Sequence, residues 1–453
     1  MKMKKLTWKE TIFVASMLFG MFFGAGNLIF PASMGQMSGN HIWMAAAGFL
    51  ITGVGLPLLG VAALGLSRKE GLLELASGAG RKYGLFFTCA LYLTIGPFFA
   101  IPRCASVSYT VGVERLLPGG GQTAALAVFS LLFFAAVLFF SLKPGQILTW
   151  IGKVLNPLFL VLLAVLVIRA LLTPMGSIPE IEPSGTYVTA AFSTGLLEGY
   201  NTMDALAGLA FGILVVRAIR NLGVKEPGEV AKQTVRAGIF SSILMALIYV
   251  LVTVIGAQSR GLFAVSENGG EVLAKIAEHY FGPGGAVILA VTVTVACLKT
   301  AVGLITSCGE TFVRIFPGGP SYRIWAAGFC VLSFAIANLG LNTIIDFSLP
   351  VLMFLYPLAI VLILLTLAGK LFGNDRTVLQ WTIGFTAAAS VLDLLRTLPQ
   401  DIRTALHLDP FLAGAGRAVP LLRQGFGWAL PALLGLAAGL LVHRWKSRKK
   451  PAA

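Results

Sequence analysis

The residues best suited to chemistry in this chain sit where an apolar segment should least contain them. Phe22 to Pro31 reads FFGAGNLIFP, with Gly24, Gly26 and Asn27 in the middle of a long apolar stretch and Pro31 just beyond. Gly lowers helix stability by about 1 kcal/mol relative to Ala and an interior Pro by about 3 kcal/mol, so helix stability does not select these residues. The segment 198-EGYNTMDALAG-208 repeats the pattern in a later apolar stretch. If both interrupt membrane helices, the unwound backbone exposes N–H groups from one half-helix and C=O groups from the other. Amides suit a carboxylate, and carbonyls suit an ammonium or a metal cation. Asn27 can cap a new helix with Pro31 still in its first turn; Asn201 or Thr202 can cap the other, and Asp204 suits its positive end. A Gly-rich surface for close helix packing would explain either cluster alone. The match between the two argues for a site.

Charges at membrane depth form the second set. One charge at the centre of a membrane helix costs about 2.5–3.5 kcal/mol, so each needs a reason. Arg103, Glu198, Asp204 and Lys299 fall inside apolar segments, with Glu310 and Asp346 nearer their ends. Two cations can offset two anions. Arg103 reads as an extracellular-side gate or an anchor beside the site, and equally as a structural partner of Glu198 or Asp204. Glu198, beside the second interruption, can contact an amine, carry a proton or satisfy freed N–H groups. Asp204 reads as a first-turn helix charge.

The elements that must position these residues follow from composition. The chain has 453 residues, 57% hydrophobic and 12% charged, with 52 Gly and a mean hydropathy of +0.86. This is the composition of a polytopic, all-α integral membrane protein, since about 20 mostly apolar residues cross a bilayer as a helix. Twelve spans are expected, at about 9–37, 41–66, 83–112, 121–142, 147–172, 186–218, 231–256, 282–312, 324–340, 343–368, 377–395 and 419–443. The interrupted segments are spans 1 and 6. Interruptions in corresponding positions of two halves point to a transporter with a central site between inverted repeats. The repeats are then about 9–172 and 186–368, with spans 11 and 12 (about 377–443) appended in a single domain of 1–453.

The net charge of +15 does not require nucleic acid. With both termini cytoplasmic, twelve spans put most of the Lys and Arg inside, including Lys2, Lys4, Arg68, Lys143, Lys153 and Lys450; Arg115 falls outside. The basic start followed by an apolar run lacks a small-residue cleavage site and reads as a retained first helix. Cys89, Cys104, Cys297, Cys308 and Cys330 have no metal-type spacing, and packing is their expected role. His41, His279, His407 and His443 fall at predicted ends or loops, without the constellation an enzyme needs. No repeated filter or charge ring of a channel is present. A non-transporting nutrient sensor on the same fold stays open, because sequence does not separate binding from translocation.

At these residues the chain resembles the bacterial branched-chain amino acid:cation symporter family, the BrnQ type. The motifs are FFGAGNLIFP, GPFFAIPR (96–103), LEGYNTMDALAGLAFG (197–212) and ACLKTAVGLI (296–305), and the resemblance extends through most of spans 1–10. It implies a LeuT-like fold and uptake of leucine, isoleucine and valine across the bacterial cytoplasmic membrane by alternating access. Coupling to a Na+ or H+ gradient is implied, with no other cofactor. By position, the Gly24, Ala25 and Gly26 backbone, with Asn27, would receive the substrate carboxylate. Glu198, Gly199, Tyr200 and Asn201 would supply carbonyls and the wall of the side-chain pocket. Gly20 and Phe23 would offer carbonyls to a cation facing span 8. There the chain departs from the pattern, reading Lys299-Thr300 where adjacent hydroxyl residues complete the sodium site. An ammonium has three donors and can fill that position, which would give a proton-coupled or sodium-independent carrier. A one-residue change of register would turn Lys299 away from helix 1.

Overall fold

A capping box starts the first helix: the Thr7 side chain accepts from Glu10 N, and the Glu10 carboxylate accepts from Thr7 N at 2.7 Å. The helix, α1 (Trp8–Phe22), stops at Phe23, and a new one, α2 (Gly26–Ser38), begins three residues later. The computed structural model describes residues 5–67, 69, 71–114, 121–142 and 156–449. Lys2, Lys4, Arg68, Arg115, Lys143, Lys153, Lys450 and the beginning of the fifth expected span lie outside the described residues.

The second expected span is α3 (Ile42–Leu50) and α4 (Leu56–Ser67), joined by a π-helical turn at Ile51–Gly55. The third is α5 (Arg81–Leu93) and α6 (Ala100–Gly112), joined by a π turn at Thr94–Phe98 that holds Gly96 and Pro97. Next come α7 (Gln122–Ser141) and α8 (Asn156–Leu172), then α9 (Tyr187–Asn201) and α10 (Asp204–Asn221), which meet at a 43° bend. The chain continues through α11 (Pro227–Gln258), the short α12 (Gly269–Phe281), α13 (Pro283–Ile315), α14 (Tyr322–Ala337) and α15 (Leu341–Leu367). It ends with α16 (Arg376–Thr397) and α17 (Ala429–Lys449). A helix or an interrupted helix thus stands at each of the twelve expected positions, and no strand occurs among the described residues. Seven described helical runs are by themselves long and apolar enough to cross a membrane, and the bent pair α9/α10 makes an eighth.

Burial is arranged for a surrounding apolar solvent. On α7 the exposed side chains include Val128, Leu131, Leu132 and Phe139, whereas Ser130 faces inward and is fully buried. In water such a surface would aggregate; in lipid it costs nothing.

The two interrupted spans are gripped in the same way. α2 runs along α11, α9 along α3 and α10 along α4, while α6 packs on α13. The contacts are backbone to backbone. A Cβ on Gly35 would lie 2.0 Å from Thr253 O, and one on Gly195 would lie 2.0 Å from Ala45 O. Without a hydrophobic effect between helices in lipid, such close approach is a main source of association. Many of the chain's glycines serve this packing rather than ligand contact.

Candidate functional site

The first interruption is built by Asn27. Its Oδ1 accepts from Gly24 N at 2.8 Å, so that amide no longer donates along α1 to the Gly20 carbonyl. Asn27 lies inside the first turn of α2 rather than capping it from outside. Pro31 is the sixth residue of α2, beyond the first turn expected for it, and withholds a bond from the Asn27 carbonyl. Leu28 N and Ile29 N donate to Ala25 O at 3.2 Å, and the Gly26 and Asn27 N–H groups that precede them have no acceptor within α2. They are left at the break between the half-helices.

The second interruption falls at Thr202 and Met203, inside the expected 198–208 stretch and just past the Asn201 or Thr202 cap expected for the new helix. α9 continues through Asn201, and Met203 takes a left-handed conformation (φ 63°) before α10 starts at Asp204. A non-Gly residue in that region costs about 1–2 kcal/mol. Burial to 2% exposure holds Met203 there. The Asp204 side chain joins both breaks: its Oδ2 accepts from Asn27 Nδ2 at 2.7 Å and from Tyr249 OH at 2.5 Å, and Asn27 Nδ2 also meets Tyr249 OH. Asp204 is therefore more than a first-turn charge, because α2, α10 and α11 converge on it.

Between the breaks lies a cavity of about 30 Å³. Gly24, Ala25, Gly26 and Asn27 of the first break and Thr202, Met203 and Asp204 of the second line it. Met21, Phe22, Ile95, Phe211 and Leu304 add apolar lining, with Phe22 against Phe211, while Arg103 and Thr300 also line it. The volume is about that of one water molecule. This conformation is thus closed around the breaks, and admitting an amino acid requires the walls to separate.

The site residues expected on span 6 are placed differently. Glu198, Gly199, Tyr200 and Asn201 lie outside the cavity wall because they belong to the last turn of α9. Their groups are already engaged: Gly199 O accepts from Thr202 Oγ1 at 2.8 Å, and Tyr200 O accepts from Met203 N at 3.0 Å. Glu198 accepts from Asn201 Nδ2 at 3.1 Å, and Tyr200 stacks on Tyr356 at 4.2 Å. Gly199 is a packing residue, since a Cβ there would meet Thr52 Oγ1 at 1.9 Å. Arg103 does not pair with Glu198 or Asp204. Its guanidinium lies 5.0 Å from the Phe30 ring centre and close over Gly26. Of the charges nearer the ends, Glu310 pairs with Arg217 at 2.7 Å and Asp346 is exposed.

The seam between α1 and α13 separates the two residues of the Lys299-Thr300 pair. Thr300 Oγ1 donates to Phe23 O at 3.0 Å, bringing together two residues expected at a cation site. Lys299 turns elsewhere and is fully buried. Its ammonium donates to Asn156 Oδ1 at 2.8 Å and lies 4.4 Å from the Phe159 ring centre and 5.2 Å from that of Phe19. Asn156 Nδ2 donates to Ser16 Oγ at 3.1 Å and to the Ser16 carbonyl. Lys299 thus ties α13 to α8 and, through Asn156, to α1 one turn before Gly20. It does not take the Gly20 and Phe23 carbonyls expected of a cation mimic, because neighbouring helix positions point about 100° apart.

Sequence reasoning did not single out Asn156, Tyr249 or Met203. Asn156 and Tyr249 are single polar groups in apolar helices and carried a weak signal. Met203 carried none, because left-handed backbone is signalled by Gly or Asn.

Comparison with known proteins agrees with this architecture. The family described as "Branched-chain amino acid transport protein" matches residues 7–446. The branched-chain amino acid permease BrnQ of Lactobacillus delbrueckii subsp. lactis is 52% identical over 94% of this chain and 95% of its own length. The BrnQ permease of Bacillus subtilis (strain 168) is 39% identical over 98% of this chain and 99% of its own. Among solved structures, Mhp1, a nucleobase-cation-symport-1 family transporter in a closed conformation with bromovinylhydantoin bound, matches with a TM-score of 0.60 at 15% identity. The match covers 97% of this chain and 93% of that one. MhsT in complex with L-phenylalanine matches with a TM-score of 0.55 at 16% identity, over 97% and 98% of the two chains. At such identity these two speak for the fold, which is the LeuT-like one. The motifs, the paired breaks and the match along nearly the whole chain place this protein in the branched-chain amino acid transport protein family, a family of membrane transporters.

Proposed function

We propose that this protein is a secondary carrier that takes up leucine, isoleucine and valine across the bacterial cytoplasmic membrane by alternating access, coupled to a cation gradient. The single observation that carries the reading is the cavity shared by the two breaks, lined both by apolar side chains and by residues of the α1/α2 interruption. Released amides suit the amino acid's carboxylate, and the apolar lining suits a branched aliphatic side chain. Its relatives named as branched-chain amino acid permeases support the substrate class. The coupling cation would enter the α1/α13 seam at Gly20, Phe23 and Thr300, both termini being cytoplasmic.

A second reading, transport without sodium, is favoured by the buried Lys299 ammonium in the same region. A fixed positive charge disfavours a second cation nearby, more strongly where the effective dielectric is low. Uptake of labelled leucine into proteoliposomes, with sodium and proton gradients imposed separately, tests both. Accumulation driven by either gradient is the expected result, and absence of leucine uptake by folded protein would overturn the carrier reading. Sodium-independent uptake that becomes sodium-stimulated in Lys299→Thr would support the second reading over sodium coupling.

A further inference from the structure

Arg103 is the least satisfied charge near the cavity. The residue is 2% exposed, and its Nε and Nη1 are buried with no hydrogen-bond acceptor among the described residues. Native structures rarely bury a guanidinium with its donors unfilled. The side chain is nevertheless held in one place: it lies over the Phe30 ring, and a Cβ built on Gly26 would come within 2.9 Å of its Nη2. It therefore stands over the backbone where α2 releases its first amides, facing the cavity rather than a protein carboxylate.

Asp204 supplies the opposite charge in the same cavity lining. Asn27 and Tyr249 both donate to its Oδ2, and the Thr202 side chain lies within hydrogen-bond reach of the same carboxylate. Tyr249 also fixes the carboxylate's orientation. One cavity is thus lined by a cation with unfilled donors and by a carboxylate, and the protein forms no ion pair between them. A zwitterion satisfies both and adds no net charge to a low-dielectric interior.

We propose that Arg103 and Asp204 are the two charged poles of the substrate site. The Arg103 guanidinium binds the carboxylate of the amino acid seated on the Gly24–Gly26 backbone, and the Asp204 carboxylate accepts from its ammonium. The aliphatic side chain then extends toward Phe22 and Phe211, whose rings meet at 6.0 Å. This deepens the carrier reading and rests on it. It also moves the amine contact from Glu198, which stands outside the cavity, to Asp204. Free α-carboxylate and free ammonium become requirements for binding, because an analogue lacking either leaves a buried charge unanswered.

The test is ligand-induced thermal stabilisation of the purified protein with four probes: leucine, leucinamide, 3-methylbutylamine and 4-methylpentanoate. In the unaltered protein leucine should bind at least about 100-fold more tightly than any analogue. Equal binding of leucine and leucinamide would overturn the proposal without recourse to any variant. In Arg103→Gln, leucine affinity should fall to the level of 3-methylbutylamine, whose own affinity changes less than about threefold; Arg103→Lys should recover part of the loss. Asp204→Asn should show the mirror pattern, losing the preference for leucine over 4-methylpentanoate. Leucine affinity kept within about threefold by folded Arg103→Gln would remove Arg103 from the site and leave the carboxylate to the amides alone. Failure of the folded, unaltered protein to bind or transport leucine would instead sink the carrier reading.

Discussion

At the scale of single residues, Gly26 is the position where backbone freedom and ligand approach coincide. A Cβ there would press on Arg103 Nη2 at 2.9 Å and on the Phe30 ring at 3.3 Å. Gly26→Val would place a branched side chain against the same two groups and displace the guanidinium from the break. Leucine uptake should fall at least about tenfold, equivalent to roughly 1.4 kcal/mol, while the amount of protein in the membrane stays unchanged. Uptake kinetics alongside immunodetection in isolated membranes would read both quantities. Unaltered leucine affinity in this variant would place the substrate away from the first break. Gly24 serves another contact, since a Cβ there would meet Thr300 Cγ2 at 2.9 Å and disturb its bond to Phe23.

At the scale of elements, three helices meet at one amide. Asn156, in the first turn of α8, accepts from Lys299 on α13 and donates to Ser16 on α1. Replacing it with Leu strands a buried ammonium, at a cost of about 2–3 kcal/mol for the lost charged hydrogen bond. Asn156→Leu should therefore lower the thermal unfolding midpoint in detergent. Adding Lys299→Met should recover most of that loss, because an apolar side chain then occupies the space between Phe19 and Phe159. A double variant no more stable than Asn156→Leu would show that the ammonium has another acceptor. The clasp also bears on movement. α1 ends at the first break, so a tie between its Ser16 and α8 limits how far this half-helix can swing.

At the scale of the whole molecule, charge placement gives an orientation that the tertiary structure makes testable. Ser38 precedes the turn between α2 and α3, yet it is fully buried, so exposed neighbours are the better reporters. Asn40 and Glu267 are exposed on the side expected outside, and Lys370 is exposed on the side expected inside. In a variant lacking the five native cysteines, single cysteines at Asn40 and Glu267 should react with an impermeant thiol reagent applied to intact cells. One at Lys370 should react only after permeabilisation. Labelling of the Lys370→Cys protein in intact cells would contradict cytoplasmic termini. The positive-inside arrangement that motivates this expectation is a property of loops, and it needs no knowledge of how the helices pack.

Helix positions, the two interruptions and the family were legible in the sequence because each has a local cause. Apolar length makes a span, and Gly, Asn and Pro within it mark a break. The first break was readable almost to the residue, since Asn27 acts through a bond to Gly24 only three positions away. The second was read to within one or two residues: its cap was expected at Asn201 or Thr202 and is Met203, with Asp204 in the first turn as expected. Its position depends on Met203 being forced into a left-handed conformation by burial, and no residue type announces that. Partners of the buried charges were beyond local reading. Asp204 is joined to Tyr249 across 45 positions and Lys299 to Asn156 across 143. Which face of α13 meets α1, and hence whether Lys299 or Thr300 reaches the Phe23 carbonyl, is set by the packing of whole helices. A rotation of about 100° separates adjacent positions, and the pattern of a helix apolar on its buried and exposed faces alike, with Val287 and Val291 exposed, fixes its angle too weakly to choose between them.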